Sequence, residues 1–341
     1  MNQVLILGGS GFVGRTLCEL LVRSDQDADA AGGGFHEALG NALGRRDTAL
    51  RLVVPTRRRV NARNILPLPL VDLLEADVHD DAALDGLLLG CDAAVNLIAK
   101  LHGSEAELDA VNAQLPARLA AACQRMGVKR VVHVSALSAA ADAPSRYLRS
   151  KARGEAALQG KGLAVTVIRP SVIFGDGDHI TPLFASLQRR LPVLPLAGAD
   201  AKLQPVWVGD VAAAIAKVLS WPATRTMPPV VECAGPEIVT LAGLAQQAGA
   251  AAGQVRPVWP LPGPLATLQA LLMELAPGEP LLSRDNLASL TVPSVASPAS
   301  AGIANLATLG IRPQPMSAVL PATLGRDQRC GRLDRWRARH R

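Results

Sequence analysis

Only one of the 341 residues is a tyrosine, and aromatic residues make up 3% of the chain. Hydrophobic residues still reach 49%, so alanine, leucine and valine must build the core. Cysteine is also scarce. The five, Cys18, Cys91, Cys123, Cys233 and Cys330, are odd in number, and none stands at metal-ligand or redox spacing. This argues against a cysteine-ligated metal site or a disulfide framework, so no metal is expected and the thiols read as reduced, in a cytoplasmic setting. No apolar run reaches the length of a membrane-spanning helix. Residues 255–276 come nearest, but Arg256, several prolines, Gln269 and Glu274 interrupt them. No signal peptide is expected, because a strand pattern begins at once.

That pattern is Gln3-Val4-Leu5-Ile6-Leu7, a short β-branched apolar run that reads as a buried strand. It enters Gly8-Gly9-Ser10-Gly11-Phe12-Val13-Gly14 directly, and a helical pattern with Leu17, Leu20 and Leu21 follows. Strand, glycine turn and helix are the context a dinucleotide fingerprint requires. Gly8 allows the tight turn, Gly11 lets backbone approach a pyrophosphate, and Gly14 lets the helix pack close to the strand. The free N–H groups at the start of the helix, around Phe12 and Val13, face the phosphates. A plain glycine-rich turn is the alternative.

Tyr147 stands four residues before Lys151. On a helix the two share a face, so phenol and ammonium point into the same space. A free phenol titrates near 10. A neighbouring cation favours phenolate and brings it towards the range useful for proton transfer.

The Gly-x-x-Gly-x-x-Gly spacing together with Tyr147 and Lys151 resembles the short-chain dehydrogenase/reductase superfamily, in its extended or atypical branch, which includes epimerases and dehydratases. The resemblance is close over about residues 1–220 and looser beyond. It implies that Asp77 and Val78 contact adenine, that Leu97 and Ala99 end the strand beneath the cofactor, and that Asn112 is a structural asparagine. It also implies that Pro170 and Val172, in Arg169-Pro170-Ser171-Val172, meet the nicotinamide. Tyr147 would donate or accept the proton, and Lys151 would hold the ribose. The family's hydroxyl near the end of the fifth strand falls on Ala136. Ser135, one residue away, is a candidate for the third catalytic position or else an ordinary small strand residue, and Ser138 could reach the site if the turn after the strand is favourable.

An acidic residue ending the second strand would favour NAD, whereas arginine there suits a 2′-phosphate. The strand is expected at residues 50–54, and Arg57, Arg58 and Arg59 follow it with no carboxylate among them. A guanidinium fork matches phosphate oxygens, so NADP(H) is favoured over NAD(H), with a solvated basic turn as the alternative.

Strand and helix patterns alternate to about residue 170, which implies an α/β, Rossmann-type doubly wound parallel sheet. Residues 1–175 form the expected nucleotide-binding domain, with an insertion at about 25–48. Residues 176–325 form a smaller mixed substrate lobe woven into it, and 326–341 a basic tail. Leu265, Leu268, Leu271, Leu272 and Leu275 can share one helix face. That face packs over the substrate lobe or docks on a membrane, a quinone-like lipid or a protein complex. The tail carries seven arginines and Trp336, which suits anionic headgroups, an acidic partner or plain solvation. No nucleic acid is expected, because no nucleic-acid-binding fold accompanies the charge.

Ser135-Ala136-Leu137, the stretch from Pro144 to Lys151, Gln204-Pro205-Val206-Trp207-Val208-Gly209-Asp210 and Ser283-Arg284-Asp285-Asn286 resemble bacterial relatives of the nucleotide-binding accessory subunit of mitochondrial respiratory complex I. The resemblance implies an oxidoreductase linked to quinone or respiratory-chain metabolism, or a non-catalytic NADPH-binding subunit of a membrane complex. A nucleotide-sugar epimerase or dehydratase is the third reading. The expected place is the cytoplasm, with peripheral contact at the inner membrane. The sequence does not name the substrate.

Overall fold

The computed structural model describes residues 1–26, 50–222, 226–274, 282–297 and 302–325. Most of the expected insertion, and the whole basic tail with Cys330, lie outside the described residues. In chain order the elements begin β1 (Gln3–Leu7), α1 (Phe12–Gln26), β2 (Arg51–Thr56), β3 (Val71–Glu75), α2 (Asp81–Leu88) and β4 (Ala93–Asn96). Helix α3 (Glu105–Asp109) passes through a π turn (Ala110–Gln114) into α4 (Leu115–Met126), followed by β5 (Arg130–Val134), α5 (Arg146–Leu158) and β6 (Ala164–Pro170). Then come β7 (Ile173–Phe174), α6 (Ile180–Arg190), β8 (Leu194–Ala197), β9 (Lys202–Leu203), β10 (Val206–Trp207), α7 (Val208–Leu219) and β11 (Val230–Cys233). The last are β12 (Val239–Thr240), α8 (Leu241–Ala251), β13 (Val258–Leu261), α9 (Gly263–Glu274), α10 (Arg284–Leu290), β14 (Ile303–Asn305) and α11 (Met316–Leu324).

The described residues fall into two compact units. The first holds those up to Pro170, together with Gly209–Cys233 and Ser297–Ile311. Its eight-stranded sheet runs β14-β11-β6-β5-β4-β1-β2-β3, parallel throughout. The order reverses at β1: β2 and β3 continue to one side, β4 to β6 to the other. Crossovers are right-handed, so that reversal puts the connecting helices on opposite faces and opens a crevice at the carboxyl ends of β1 and β4. One face buries Leu5, Leu7, Val53, Ala94 and Val131 against Leu84 and Leu88 of α2, Leu119 and Cys123 of α4, and Leu158 of α5. That cluster contains no aromatic side chain, as the composition implies.

Strand β2 runs two residues past its expected end. Pro55 reads as a breaker because it donates no ladder hydrogen bond. Here the β1–β2 pairing ends at Val53, and Pro55 lies on a stretch paired with β3.

The second unit holds Ser171–Val208, Ala234–Ala296 and the described residues from Arg312 on. It has three two-stranded pairings: β7 with β10 and β8 with β13, both parallel, and β9 with β12, antiparallel. Phe174, Phe184, Leu194, Leu244, Met316 and Leu320 form its core. Helix α9 turns Ala266 and Ala270 inward, while Leu265, Leu268 and Leu271 are exposed, as is Trp259. These three leucines are therefore exposed rather than packed over their own unit; the Leu272 side chain lies outside the described residues. Leu275 lies outside the described residues.

Candidate functional site

Because the sheet of the first unit is parallel, the loops that follow its strands gather along one edge. Gly8 to Gly14 follow β1, Arg57 and Arg58 follow β2, Asp77 and Val78 follow β3, and Leu97 and Ala99 follow β4. Ser135 follows β5, Pro170 ends β6, and Tyr147 and Lys151 lie on α5 between those strands. The topology thus brings these sequence-predicted residues to one edge. Val172 belongs to the second unit.

The glycine turn is built for close approach. Gly8 has φ +82°, and a Cβ there would meet Leu97 and Ile98 at 3.2–3.3 Å, so the loop after β1 rests on the loop after β4. A Cβ on Gly14 would fall 2.2 Å from Gly8 O, and one on Gly11 3.2 Å from the same atom. Phe12 and Val13 open α1, whose first amides have no partner within the helix. The cradle fits a diphosphate, which takes backbone amides where side chains would block it. Gly9 is a fourth requirement that the spacing does not reveal: its Cβ would come 2.7 Å from Val54 Cγ1.

Arg57 and Arg58 are exposed at the end of β2. The nearby carboxylate is Glu75, at the end of β3, whose Oε1 accepts the Arg59 amide at 2.8 Å. Asp77 accepts the His79 amide at 2.9 Å and so shapes its own turn. Val78 packs against the core.

Helix α5 is placed by several anchors. Ser145 caps it by accepting from the Leu148 amide at 3.1 Å. Asn112, in the π turn, accepts the Lys100 amide at 2.9 Å and donates to Lys100 O at 2.8 Å and to Ser150 Oγ at 2.9 Å. One side chain thereby ties the loop after β4 to the helix of Tyr147. A Cβ on Gly154 would lie 2.0 Å from Asn112 O, so only glycine fits there. Arg169 on β6 grips Glu155 through Nε at 3.0 Å and Nη2 at 2.5 Å.

Lys151 is 1% exposed and donates from Nζ to Val134 O at 2.6 Å. Burial lowers its ammonium to about 8, opposed by the charge of Glu155. Tyr147 moves the other way: burial pushes its phenol up to about 12. The expectation that Lys151 would draw the phenol downward is therefore corrected, since desolvation of the phenolate prevails. Ser135 is buried, and its Oγ has no partner among the described residues. Ala136, at the usual hydroxyl position, is partly exposed.

Sequence reasoning missed His133. It is fully buried on β5, its Nδ1 lies 3.2 Å from Asn96 Nδ2, and burial with the adjacent Lys151 charge holds it well below the usual imidazole range. The available signal was one imidazole among the valines that follow Arg130 in β5. Among the described residues no His, Cys, Asp and Glu group could hold a metal, and no helix is long and apolar enough to cross a membrane.

Residues 4–234 match the sequence model of the NAD dependent epimerase/dehydratase family. The chain belongs to that family. The epimerase/dehydratase family binds a nicotinamide dinucleotide.

Within the epimerase/dehydratase family its curated relatives include alpha subcomplex subunit 9 of the mitochondrial NADH dehydrogenase [ubiquinone] 1. The Dictyostelium discoideum protein is 28% identical over 69% of this chain and 60% of its own length. The mouse protein is 28% identical over 81% and 73%. A ceramide reductase of Caulobacter vibrioides is 31% identical over 42% of this chain and 45% of its own. The chain spans 60% and 44% of the length of the Dictyostelium and Arabidopsis thaliana relatives. Among solved structures, the dTDP-glucose 4,6-dehydratase DesIV of Streptomyces venezuelae, with NAD and TYD bound, superposes with a TM-score of 0.65 at 20% identity, covering 94% of this chain and 95% of that one. MoeE5 in complex with UDP-glucuronic acid and NAD gives 0.66 at 17%, over 96% and 100%. At these identities the likeness concerns the fold.

Proposed function

We propose that this chain binds NADP(H) in preference to NAD(H) and is an oxidoreductase that acts in quinone or respiratory-chain metabolism. The observation that carries the reading is Tyr147 and Lys151 on one helix, held at the same strand ends as the glycine cradle. The nicotinamide supplies or accepts hydride; this chain supplies the rest. Gly8, Gly11 and Gly14 admit the diphosphate, with the first-turn amides at Phe12 and Val13 as donors. Asp77 and Val78 border the adenine end, and Leu97, Ala99 and Pro170 the nicotinamide end. Lys151 holds the ribose, and the Tyr147 hydroxyl holds the proton to be transferred. Arg57 and Arg58 are exposed to meet a 2′-phosphate, and Glu75 is engaged by the Arg59 amide. Ser135, turned inward, is the weakest of the three catalytic candidates.

A second reading has its own support. The phenol is raised to about 12 and the usual hydroxyl position is Ala136, which suits a nucleotide that is held without turnover. The relatives named as respiratory-complex subunits agree with this, and a nucleotide-sugar epimerase or dehydratase would need the same Tyr147. Either way a peripheral contact at the cytoplasmic side of the inner membrane is proposed, on an anionic lipid surface. Leu265, Leu268, Leu271 and Trp259 are exposed there, no carboxylate stands between Glu237 and Glu274, and the tail adds seven arginines.

The test is to purify the protein and identify the retained nucleotide. Absorbance of the reduced nicotinamide is then followed on addition of quinones, ketones and nucleotide sugars. Oxidation by a quinone that Tyr147→Phe abolishes supports the enzyme. Retained NADPH that none of these oxidises favours the structural subunit, and no affinity for either nucleotide overturns both.

A further inference from the structure

Three buried polar groups of the first unit gather at the end of β5. Lys151 Nζ donates to Val134 O at 2.6 Å. His133 and Ser135 flank Val134, and their side chains share one face of the sheet, because the ladder continues with Ser135 N–H donating to Ile168 O at 2.8 Å. His133 is fully buried and Ser135 is 4% exposed. Neither His133 Nε2 nor Ser135 Oγ has a partner among the described residues. Buried polar atoms in native proteins find partners, and ordered water supplies those that the chain does not.

The neighbouring asparagine fixes the tautomer of His133. Asn96 Oδ1 accepts the Ile98 amide at 3.1 Å, which settles the orientation of the carboxamide. Its Nδ2 therefore faces His133 Nδ1 at 3.2 Å as a donor. A neutral imidazole that accepts at Nδ1 carries its proton on Nε2. The orphan atom is thus a donor, next to a second donor, the Lys151 ammonium. The charges around the ring are Lys151 and Glu155 of α5, with Arg169 of β6 bound to Glu155. What His133 Nε2–H lacks is an acceptor, and Ser135 Oγ lacks a partner of either kind.

We infer that one internal water completes this cluster and makes His133 a positioning residue for Lys151. The water accepts from His133 Nε2–H and from Lys151 Nζ–H, and donates to Ser135 Oγ. Three partners are the usual complement of a buried water. The ammonium is then held by the Val134 carbonyl and by the water, with its third N–H left for the nucleotide. Ser135 is thereby a water ligand, which accounts for its burial beside a vacant hydroxyl position at Ala136. The effect on nucleotide binding rests on the reading of Lys151 given above; the water and the tautomer do not.

The test combines a crystal structure with ordered solvent, long-range 1H–15N correlation of the imidazole, and NADPH titrations of wild type, His133→Gln and His133→Leu. Glutamine keeps a donor near Nε2; leucine removes it at similar volume. The expected results are a water within hydrogen-bonding distance of all three groups and an Nε2–H tautomer between pH 6 and 9. Loss of a hydrogen bond to a charged group corresponds to NADPH binding about tenfold weaker in His133→Leu, and His133→Gln should stay within about threefold of wild type. An Nδ1–H tautomer, or no water in the cluster, overturns the inference. So do equal losses in the two variants, which would show that only the ring's volume matters. If His133→Leu does not fold, tautomer and solvent density decide. Wild type that binds no NADPH sinks the nucleotide reading alone.

Discussion

At the scale of the residue, Lys151 shows what a buried ammonium costs the fold. Its ammonium is lowered from 10.5 to about 8 because it is buried against one carbonyl. The sign follows from proton binding. Between pH 8 and 10.5 the unfolded chain keeps the proton that the folded chain has shed, so stability rises with pH across that window. Below pH 8 the penalty is fully present, at about 3 kcal/mol. Lys151→Met removes it but strands Val134 O, which returns about 1–3 kcal/mol. The variant should equal or exceed wild type in urea midpoint at pH 7, and that advantage should shrink towards pH 10. It should bind no nucleotide. A constant difference across pH would show that the lysine is not buried as an ammonium. Arg57 and Arg58 make the opposite case, exposed and with no evident role in the fold. Replacing both with alanine should leave stability within about 0.5 kcal/mol. The NADPH preference over NADH should fall by about tenfold or more, as expected when charge-assisted bonds to a phosphate are lost. Unchanged relative affinities in paired titrations would remove the 2′-phosphate reading.

At the scale of the element, the strand–turn–helix opening was legible because Gly8, Gly11 and Gly14 each answer a local steric demand that their spacing displays, whereas the demand on Gly9 comes from Val54 on the adjacent strand. The edge of the site was legible for a related reason: parallel strands with crossover helices must end together. Helix α5 was legible as a helix, but its anchors were not. Gly154 reads as a weak helix residue, and only the approach of Asn112 O explains it. The Arg169–Glu155 pair joins β6 to α5 across a sequence gap that no periodicity spans. His133 was invisible because its meaning depends on Asn96 in the adjacent strand and Lys151 on the helix. The pKa of Tyr147 was misjudged for the same cause, since spacing gives the cation's direction but not the burial around it. Gly154→Ala puts a Cβ 2.0 Å from backbone, so either the π turn or α5 must shift. The cost should be about 1–3 kcal/mol, in the range of core overpacking. Because the shift falls between Asn112 and Ser150, nucleotide affinity should drop with it. Normal affinity with normal stability would show that the contact relaxes freely.

At the scale of the whole molecule, the chain carries a net charge of +6, with seven of its arginines in the last sixteen residues. Charge of this kind acts over a Debye length and is additive near an anionic surface, at about 1 kcal/mol per arginine. Leucines exposed on α9 act over contact distance, and each contributes only when it is buried. The two terms predict different salt responses. If both operate, full-length protein should float with liposomes containing anionic lipid, and binding should weaken steeply between 50 mM and 500 mM salt. A chain ending at Leu324 should lose most of the salt-sensitive part and keep a weaker residue. Leu265→Ser with Leu268→Ser in the full chain should leave the salt slope intact and lower binding at every ionic strength. These positions are exposed, so stability should not change by more than about 0.5 kcal/mol, and thermal unfolding provides that control. Equal flotation of the full and shortened chains would show that the arginines are merely solvated. Loss of flotation only when both surfaces are altered would show that either one suffices, as expected when one lipid surface engages a polybasic arm and an apolar face together.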